Sequence, residues 1–378
     1  MRFPDFSEEW RSTPMKNVCS FAKGYGIAKE NLSTEGTPCI LYGELYTTYK
    51  TAIAKDIRSK TQLDPTDLFH SKANDVIIPC SGETAIDIAT SVCVPYDDVL
   101  LGGDLTVIRT KLNGAFLSNQ LNGVRRKKIA TIAQGASIVH LHADELKKIN
   151  IKYPTREEQD KIAHFIDCLD ERIATQNKII SKYESLIKGI RHIVFSSIDN
   201  GEQYPLGNFL DEYSEKNVAN NLQSVAVGKY GIRKREDIYS KELSTDYSKN
   251  KVIRKDTLII GMGSTQIDIG ILVEDEKYCV SPAYTTYHIS GINSFYLQEY
   301  LVELNPLLSV RYMITSARQG KAVNKDDLMR HILTVHCLDE QERICKHFKS
   351  LYKRLQIEKE MLSALQKQKA FLLKSMFI

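Results

Sequence analysis

The chain carries Glu158-Gln159-Asp160-Lys161-Ile162 and, 182 residues later, Glu340-Gln341-Glu342-Arg343-Ile344. Each run opens a segment in which apolar residues alternate spacings of three and four. That 3.5-residue period is typical of coiled coils, whereas a helix lying on a globular core follows a period of 3.6. We therefore predict two long helices. Because the offset is nearly half of the 378 residues, the repeat indicates a duplicated protein.

The two predicted helices need a partner, since neither can bury its apolar seam alone. A segment of about 140 residues separates them, so the second helix can return antiparallel to the first. Gln176 and Glu358 are equivalent polar seam positions, and we predict that they meet near the centre of the crossing, where such residues fix register. Exposure where the pairing loosens is the alternative. The predicted seam residues are Ile162, Ile166, Leu169, Ile173, Ile180, Ile187, Ile344, Phe348, Leu351, Leu355, Leu362 and Leu365.

The repeat extends beyond the helices. Residues in the range 75–88 match 256–269 at an offset of 181, and residues in 113–121 match 293–301 at 180. Runs rich in β-branched residues predict strands, and amphipathic runs predict short helices. We expect strands at 76–78, 258–260 and 267–273, and short helices at 113–128 and 293–304. The fold class is therefore α+β, with two homologous globular domains, two long helices in an antiparallel coiled coil, and pseudo-two-fold internal symmetry.

Composition is that of an ordinary soluble protein, with 42% hydrophobic and 26% charged residues. A formal charge of +4 permits a nucleic-acid partner without requiring one. The eight cysteines form no CxxC pair, so we predict neither a zinc site nor a disulfide framework. We find no signal peptide and no run long enough to span a membrane, and we expect a cytoplasmic protein.

A search for catalytic motifs yields weak candidates. Gly261-Met262-Gly263 resembles a phosphate loop but lacks the lysine that follows one. His140 and His142 would share one face of a strand, but the other half has no matching pair, so a structural role is favoured over a metal site. We interpret the chain as a binding protein without catalytic residues.

The run from Pro154 to Ala163, followed by a heptad helix, resembles the central conserved region of the specificity subunit of Type I restriction–modification enzymes. The run Leu338–Ile344 is similar to the distal conserved region of the same family. One departure is His336-Cys337, where the family usually has a proline. The resemblance covers essentially the whole chain. It implies a first target-recognition domain at 1–153, a central helix at 154–198, a second target-recognition domain at 199–335 and a C-terminal helix at 336–378.

The resemblance also implies a function. Such subunits are non-catalytic and read a bipartite, asymmetric double-stranded DNA target, one domain per half-site. They dock two methyltransferase subunits and two restriction (motor-nuclease) subunits in a prokaryotic cytoplasm. S-adenosylmethionine, ATP and Mg are expected only in those partners, with no cofactor in this chain. A duplicated coiled-coil scaffold without DNA readout is the main alternative, and an enzyme with an unrecognised site is a third.

DNA-contacting residues are predicted from side-chain chemistry. Lysine and arginine suit phosphates, whereas hydroxyl and amide groups in glycine-bounded loops suit base edges. Tyr25-Gly26-Ile27 also resembles Tyr230-Gly231-Ile232, at an offset of 205. For each charged residue a solvated surface is the alternative. Specificity is expected where the halves differ, as at 125–128 against 306–309. The candidates are Lys23, Tyr25, Ser81, Thr84, Arg125, Arg126, Lys127 and Lys128 in the first half, and Lys229, Tyr230, Arg233, Ser264, Thr265 and Gln266 in the second.

Overall fold

The computed structural model describes residues 2–49, 51–135, 138–199, 201–228, 231–238, 246–316 and 320–377. The chain divides into two compact units. Unit 1 comprises Met1–Ile179 and Glu358–Ile378, and unit 2 comprises Ile180–Ile357. Each unit therefore contains one globular part, a piece of the first long helix and a piece of the second.

The globular part of unit 1 is a mixed α+β structure. Its helices are α1 (Glu44–Thr47), α2 (Ala85–Ile88), α3 (Gly114–Asn122), α4 (Arg126–Ile132) and α5 (Ala143–Lys147). Short 3-10 helices lie at Met15–Asn17, Lys29–Asn31 and Pro65–Asp67. Its strands are β1 (Arg11–Pro14), β2 (Cys19–Lys23), β3 (Leu32–Ser33), β4 (Thr37–Ile40), β5 (Lys60–Thr61), β6 (Asp75–Pro79), β7 (Ser81–Gly82), β8 (Val92–Val94), β9 (Leu100–Leu101), β10 (Leu105–Thr110), β11 (Val139–His140) and β12 (Asn150–Tyr153).

Unit 2 repeats this plan with fewer short elements in the described residues. Its helices are α7 (Ser294–Tyr312) and α8 (Lys325–Met329), with 3-10 helices at Leu206–Phe209 and Arg235–Asp237. Its strands are β13 (Glu202–Pro205), β14 (Leu210–Tyr213), β15 (Val225–Gly228), β16 (Gly231–Lys234), β17 (Lys251–Ile253), β18 (Thr257–Met262), β19 (Ile267–Leu272), β20 (Tyr278–Val280), β21 (Thr285–Ile289), β22 (Met313–Ser316), β23 (Gly320–Val323) and β24 (Ile332–Val335). The long helices are α6 (Arg156–Ser196) and α9 (Leu338–Ser375).

The same four-stranded antiparallel sheet occurs in both units. Its strand order is β2-β10-β6-β8 in unit 1 and β14-β21-β18-β19 in unit 2. The central strands β6 and β18 are buried along most of their length, which explains their continuous apolar sequences. A second pair, β1-β12 or β13-β24, precedes each long helix. The predicted strands at 76–78 and 258–260 fall within β6 and β18, and the prediction at 267–273 corresponds to β19, which ends one residue earlier, at Leu272.

A repeated backbone hydrogen bond shows which residues of the two sheets correspond. The Asn74 amide donates to the Val94 carbonyl at 2.9 Å, and the Asp256 amide donates to the Leu272 carbonyl at 2.8 Å. Asn74 and Asp256 both have positive φ, 81° and 61°. Asn74 and Asp256 each lie directly before a central strand and have the same conformation and hydrogen bond. Val94 therefore corresponds to Leu272, and the preceding Cys93 to Ile271.

The units differ between their last two sheet strands. After β6 the chain forms β7 and α2 before β8, whereas after β18 it returns directly to β19. Asp87 and Ile88 therefore lie in a helix, while Asp268 and Ile269, their partners in the sequence repeat, lie in a strand. The matching of these residues by sequence was wrong in structural terms, because a chance similarity spans two different local structures.

The predicted short helices are present with changed bounds. The 113–128 prediction becomes α3 and α4, separated at Gly123. A Cβ at Gly123 would lie 2.8 Å from the Leu373 carbonyl oxygen and 3.0 Å from that of Asn119, so a side chain has no room there. The 293–304 prediction corresponds to α7, which continues to Tyr312.

The helix α6 has 41 residues and α9 has 38. Of the twelve predicted seam residues, Ile173, Leu351 and Leu362 are half-buried and the other nine are buried. In unit 1 the first seam residues, such as Ile162 and Ile166, join the same hydrophobic cluster as Phe116. The seam thus runs without a break into the globular core.

The two helices run antiparallel within each unit. In unit 1, Lys369 pairs with Asp170 at 2.5 Å, and the Gln176 side-chain amide donates to the Glu358 backbone carbonyl at 3.1 Å and to its carboxylate. The predicted meeting of Gln176 and Glu358 is therefore confirmed. In unit 2, Phe195 stacks on Phe348 with ring centroids 6.5 Å apart.

Candidate nucleic-acid interface

The repeated Glu-Gln motif has a structural task in both units. Gln159 accepts a hydrogen bond from the Asn113 amide at 2.9 Å and donates to the Pro154 carbonyl at 2.9 Å. Gln341 accepts from the Asn293 amide at 3.0 Å and donates to the His336 carbonyl at 2.8 Å. Each glutamine thus ties the start of a long helix to the asparagine that caps α3 or α7. The replacement of proline by His336 leaves this arrangement unchanged.

Unit 1 has a cleft of about 870 Å³ that begins where β2 ends. Lys23, Tyr25, Tyr42 and Asp104 line it. Tyr25 is 52% exposed, and its ring meets Phe69 edge to face. At Gly24, which follows β2, a Cβ would lie 2.3 Å from the Gly102 carbonyl oxygen, so this wall requires glycine. The cleft brings together Lys23 and Tyr25 of the predicted contacts.

Asp104 is a functional candidate that the sequence alone does not single out. Its carboxylate accepts from the Ser81 hydroxyl at 3.0 Å and lies 3.7 Å from the Lys23 ammonium. Asp104 has a positive φ of 56°. In the sequence, the run Gly102-Gly103-Asp104-Leu105 is one of the matches to the specificity-subunit family, which gives Asp104 no role of its own. Ser81 is 7% exposed, so its hydroxyl is directed at the half-exposed Asp104 carboxylate and is not free to contact DNA.

Thr84 caps a short helix. Its hydroxyl accepts from the Asp87 amide at 3.2 Å and donates to the Asp87 carboxylate at 2.5 Å. Both hydrogen-bonding functions are therefore used locally, although the residue is exposed.

The basic run at 125–128 divides into two pairs. Arg126 donates to the Ile86 carbonyl at 3.0 Å and to the Thr90 hydroxyl at 3.2 Å, so it holds α4 against α2. Burial lowers the pKa of Arg125. Lys127 and Lys128 are exposed. Only the two lysines of this run have the exposure that a phosphate contact needs.

Unit 2 has a cleft of about 580 Å³ with a different lining. Arg233 on β16 lies opposite the turn Ser264-Thr265-Gln266, which joins β18 to β19. Asp268 also lines this cleft, and burial raises the pKa of its carboxyl group. Four predicted contacts therefore lie together. Lys229 and Tyr230 lie outside the described residues.

The two clefts are not copies of one another. The sheet position of β2 is held in unit 2 by β14, because β2 pairs with β10 and β14 with its counterpart β21. Gly26 follows β2, whereas Gly231 opens β16, which pairs with β15. The matching of residues 25–27 with 230–232 was therefore wrong: it joins segments at different places in the fold.

Comparison with known protein families gives a match over residues 7–185, to the Type I restriction modification DNA specificity domain. Residues 7–185, just under half of the chain, are therefore similar to the Type I specificity domain. This similarity agrees with the non-catalytic DNA-specificity role expected from the sequence and does not favour the scaffold alternative. No curated protein sequence matches the chain.

Solved structures share the whole fold. The Type I restriction–modification S subunit from M. genitalium matches with a TM-score of 0.60 and 16% identity, covering 98% of this chain and 96% of that one. A structure from work on complex assembly and conformational transition of the type I R-M system matches with a TM-score of 0.59 and 17% identity, covering 97% of both chains. The predicted α+β fold with paired long helices is confirmed. In the described residues no helix is long and apolar enough to cross a membrane.

Proposed function

We propose that this specificity subunit reads a bipartite, asymmetric DNA target, with the globular part of each unit contacting one half-site. One observation carries the proposal. The same sheet and the same hydrogen bonds of Gln159 and Gln341 occur in both units, but the clefts of the two units have different linings. Two similar domains with differently lined clefts suit a DNA target whose two halves have the same backbone geometry but different bases. The domain bounds proposed for this division are 1–153, 154–198, 199–335 and 336–378.

The contacts follow from chemistry and exposure. In unit 1, Lys23, Lys127 and Lys128 contact phosphates, and Tyr25 contacts a base or sugar at the mouth of its cleft. In unit 2, Arg233 contacts a phosphate or guanine. Ser264, Thr265 and Gln266 read base edges there, and a glutamine amide can pair with adenine through two hydrogen bonds.

The partners of the subunit are DNA and the other subunits of a Type I restriction–modification system. The finer proposal is that it docks two methyltransferase and two restriction subunits. Those subunits would carry S-adenosylmethionine, ATP and Mg. The complex would act in a prokaryotic cytoplasm.

The decisive experiment is a methylome. The chain is expressed with its methyltransferase partner in a host that lacks other Type I systems, and methylated motifs are mapped by long-read sequencing. We expect a two-part motif that appears only when this chain is present. Exchanging residues 1–153 for the corresponding domain of another specificity subunit should change one half of the motif. A change in both halves, or in neither, would refute the assignment of one unit to one half-site.

A further inference from the structure

The outer edge of the sheet in unit 1 is covered by the chain itself. The Cys93 amide on the edge strand β8 donates to the Ala52 carbonyl at 2.8 Å, and the Ala54 amide donates to the Cys93 carbonyl at 2.9 Å. Ile53 thereby forms a parallel bridge with Cys93. Residues 52–54 thus act as one more strand on this edge.

A charged contact completes the covering. Lys55 directly follows the added strand, and its ammonium lies 2.7 Å from carboxylate oxygens of both Asp167 and Glu171 on α6. These two ion pairs attach the covering segment to the long helix.

The corresponding edge in unit 2 is the outer side of β19, where Ile271 takes the position of Cys93. The Ile267 amide donates to the Ser309 hydroxyl at 2.9 Å, and the Ile267 carbonyl accepts from the Asn305 side chain at 2.9 Å. Ile267 therefore points its backbone groups away from β18. Because backbone direction alternates along a strand, Ile269 and Ile271 do the same.

This edge borders an open space. Within the described ranges of the chain, no backbone partner meets the outward groups of Ile269 or Ile271. Both residues line a cleft of about 700 Å³, together with Phe295, Lys349 and Tyr352. Unpaired strand edges of this kind accept an extended segment from another chain.

The charges beside the cleft are reversed relative to unit 1. The residues of α9 that correspond to Asp167 and Glu171, 182 positions later, are Lys349 and Lys353. Both lysines are exposed. The Lys349 ammonium lies 5.2 Å from the centroid of the Phe295 ring, which forms one wall of the cleft. A covering segment on this edge would therefore need an acid where unit 1 has Lys55.

We propose that this cleft of unit 2 is a docking site for an extended, acidic segment of a partner protein, which adds to β19 as a parallel strand. One residue of the segment exchanges backbone hydrogen bonds with Ile271. A carboxylate two residues later faces Lys349 and Lys353. Residues 52–55 of unit 1 show how such a segment would pair with the strand, and the two lysines of unit 2 favour a negatively charged segment. The proposal does not depend on which bases either unit reads.

The chain supplies its own probes. A peptide of residues 51–57 carrying Lys55→Glu and Asp56→Asn is compared with one carrying Asp56→Asn alone. Both are titrated into the full chain labelled at isoleucine methyl groups and followed by NMR. The same titrations use the double variant Lys349→Glu/Lys353→Glu. A third peptide carries the Lys55→Glu change and an N-methyl group at Ala54, which removes the amide that would donate to Ile271.

We expect saturable shifts at Ile269 and Ile271, with the glutamate peptide binding roughly fivefold more tightly than the lysine peptide. The double variant should reverse that order, and N-methylation should weaken binding by about fivefold. Unchanged methyl signals of unit 2 residues away from the cleft show that the double variant is folded. The proposal is overturned if neither peptide shifts these methyls, or if both bind equally to both proteins. It is also overturned if the double variant loses DNA affinity while no peptide binds, since the lysines would then serve nucleic acid.

Discussion

The two clefts stand on equivalent sheets but differ in chemistry. In unit 1 the lining comes from the loop after β2 and from residues 41–47 and 103–104, and combines the rings of Tyr25 and Tyr42 with the charged Lys23 and Asp104. In unit 2 it comes from the β15–β16 hairpin and the turn 264–266, and contains hydroxyl, amide and charged groups. The central strands and the hydrogen bonds of Gln159 and Gln341 are the same in both units. The duplication therefore preserved what orders the sheet and allowed the segments beyond the strand ends to diverge.

The helix contacts of the two units differ as well. In unit 2, Arg191 lies 2.8 Å from Glu299, which is 1% exposed, and Tyr352 donates to the same carboxylate at 3.0 Å. In unit 1, the position of Tyr352 is taken by Asp170, which pairs with Lys369. Each unit thus places a buried polar pair between helices, but with different residues.

The largest expected effect is on this pair. Arg191→Met should lower the free energy of unfolding by about 3 kcal/mol or more, because it leaves the Glu299 carboxylate buried without its cation. Lys369→Met should cost less, since burial already raises the pKa of Asp170 and protonation can relieve it. Urea unfolding measures both. The variant Arg191→Met/Glu299→Gln should recover most of the loss. A single-variant loss no greater than that of Lys147→Met, at an exposed ion pair, would contradict the argument.

The next effect concerns specificity. Gln266→Ala should cost about 1–3 kcal/mol of discrimination at one base pair, in the half-site read by unit 2. Binding of the assembled complex to the cognate site and to singly substituted sites measures this. Gln368→Ala, on an exposed surface of α9, is the matched control. A uniform loss across all sites would show that Gln266 has no role in base readout.

A smaller effect is expected for the basic residues of unit 1. Lys127→Ala/Lys128→Ala should weaken binding equally for all sequences and reduce the slope of log K against log salt by about 0.9 per lost phosphate contact. Lys23→Ala should act in the same way. Titration with salt at several concentrations provides the slope, and Lys178→Ala on α6 serves as control. An unchanged slope would place these lysines away from the DNA backbone.

The smallest effect is a difference in acid sensitivity. Burial lowers the pKa of His331 and His336, and the Arg311 guanidinium lowers that of His331 further. The unfolded chain therefore binds more protons than the folded one as pH falls below the ordinary histidine value of about 6.5, so unit 2 should lose stability there. Unit 1 has Ile149 and Pro154 at these positions. Hydrogen exchange between pH 7 and 5.5, corrected for intrinsic rates, should show the loss in unit 2, and His331→Asn/His336→Asn should remove it.

Long periodic features of this fold could be predicted from sequence. The seam of α6 and α9 repeats over many turns, and β6 and β18 are buried runs of β-branched residues, so local pattern and tertiary burial agree. The structure of the segment after β6 could not be predicted, because α2 is only four residues long. Thr84 caps this short helix in unit 1, whereas similar residues form β19 in unit 2. Tertiary context overrides such short patterns.

The clefts were predicted only in part. The side-chain chemistry of Arg233 and residues 264–266 predicts DNA contacts, and these residues lie together because the β15–β16 hairpin and the β18–β19 turn line the same cleft. Asp104 was missed because its importance comes from Ser81 and Lys23, which are far away in sequence. Local sequence patterns do not predict which distant residues meet in the fold. They also do not predict the internal hydrogen bonds made by the hydroxyl groups of Ser81 and Thr84.

Unit 1 is discontinuous, and this constrains the order in which the protein can be made. Its core includes Phe377 and Met376, and the Phe377 ring lies 5.1 Å from that of Phe116. During synthesis the first globular part has the contact of Phe116 with Trp10, but it lacks the contact with Phe377 until the ribosome has released that residue. Unit 2 is continuous and can close earlier. A nascent chain interrupted before this point would leave part of the apolar core of unit 1 open to chaperones and proteases.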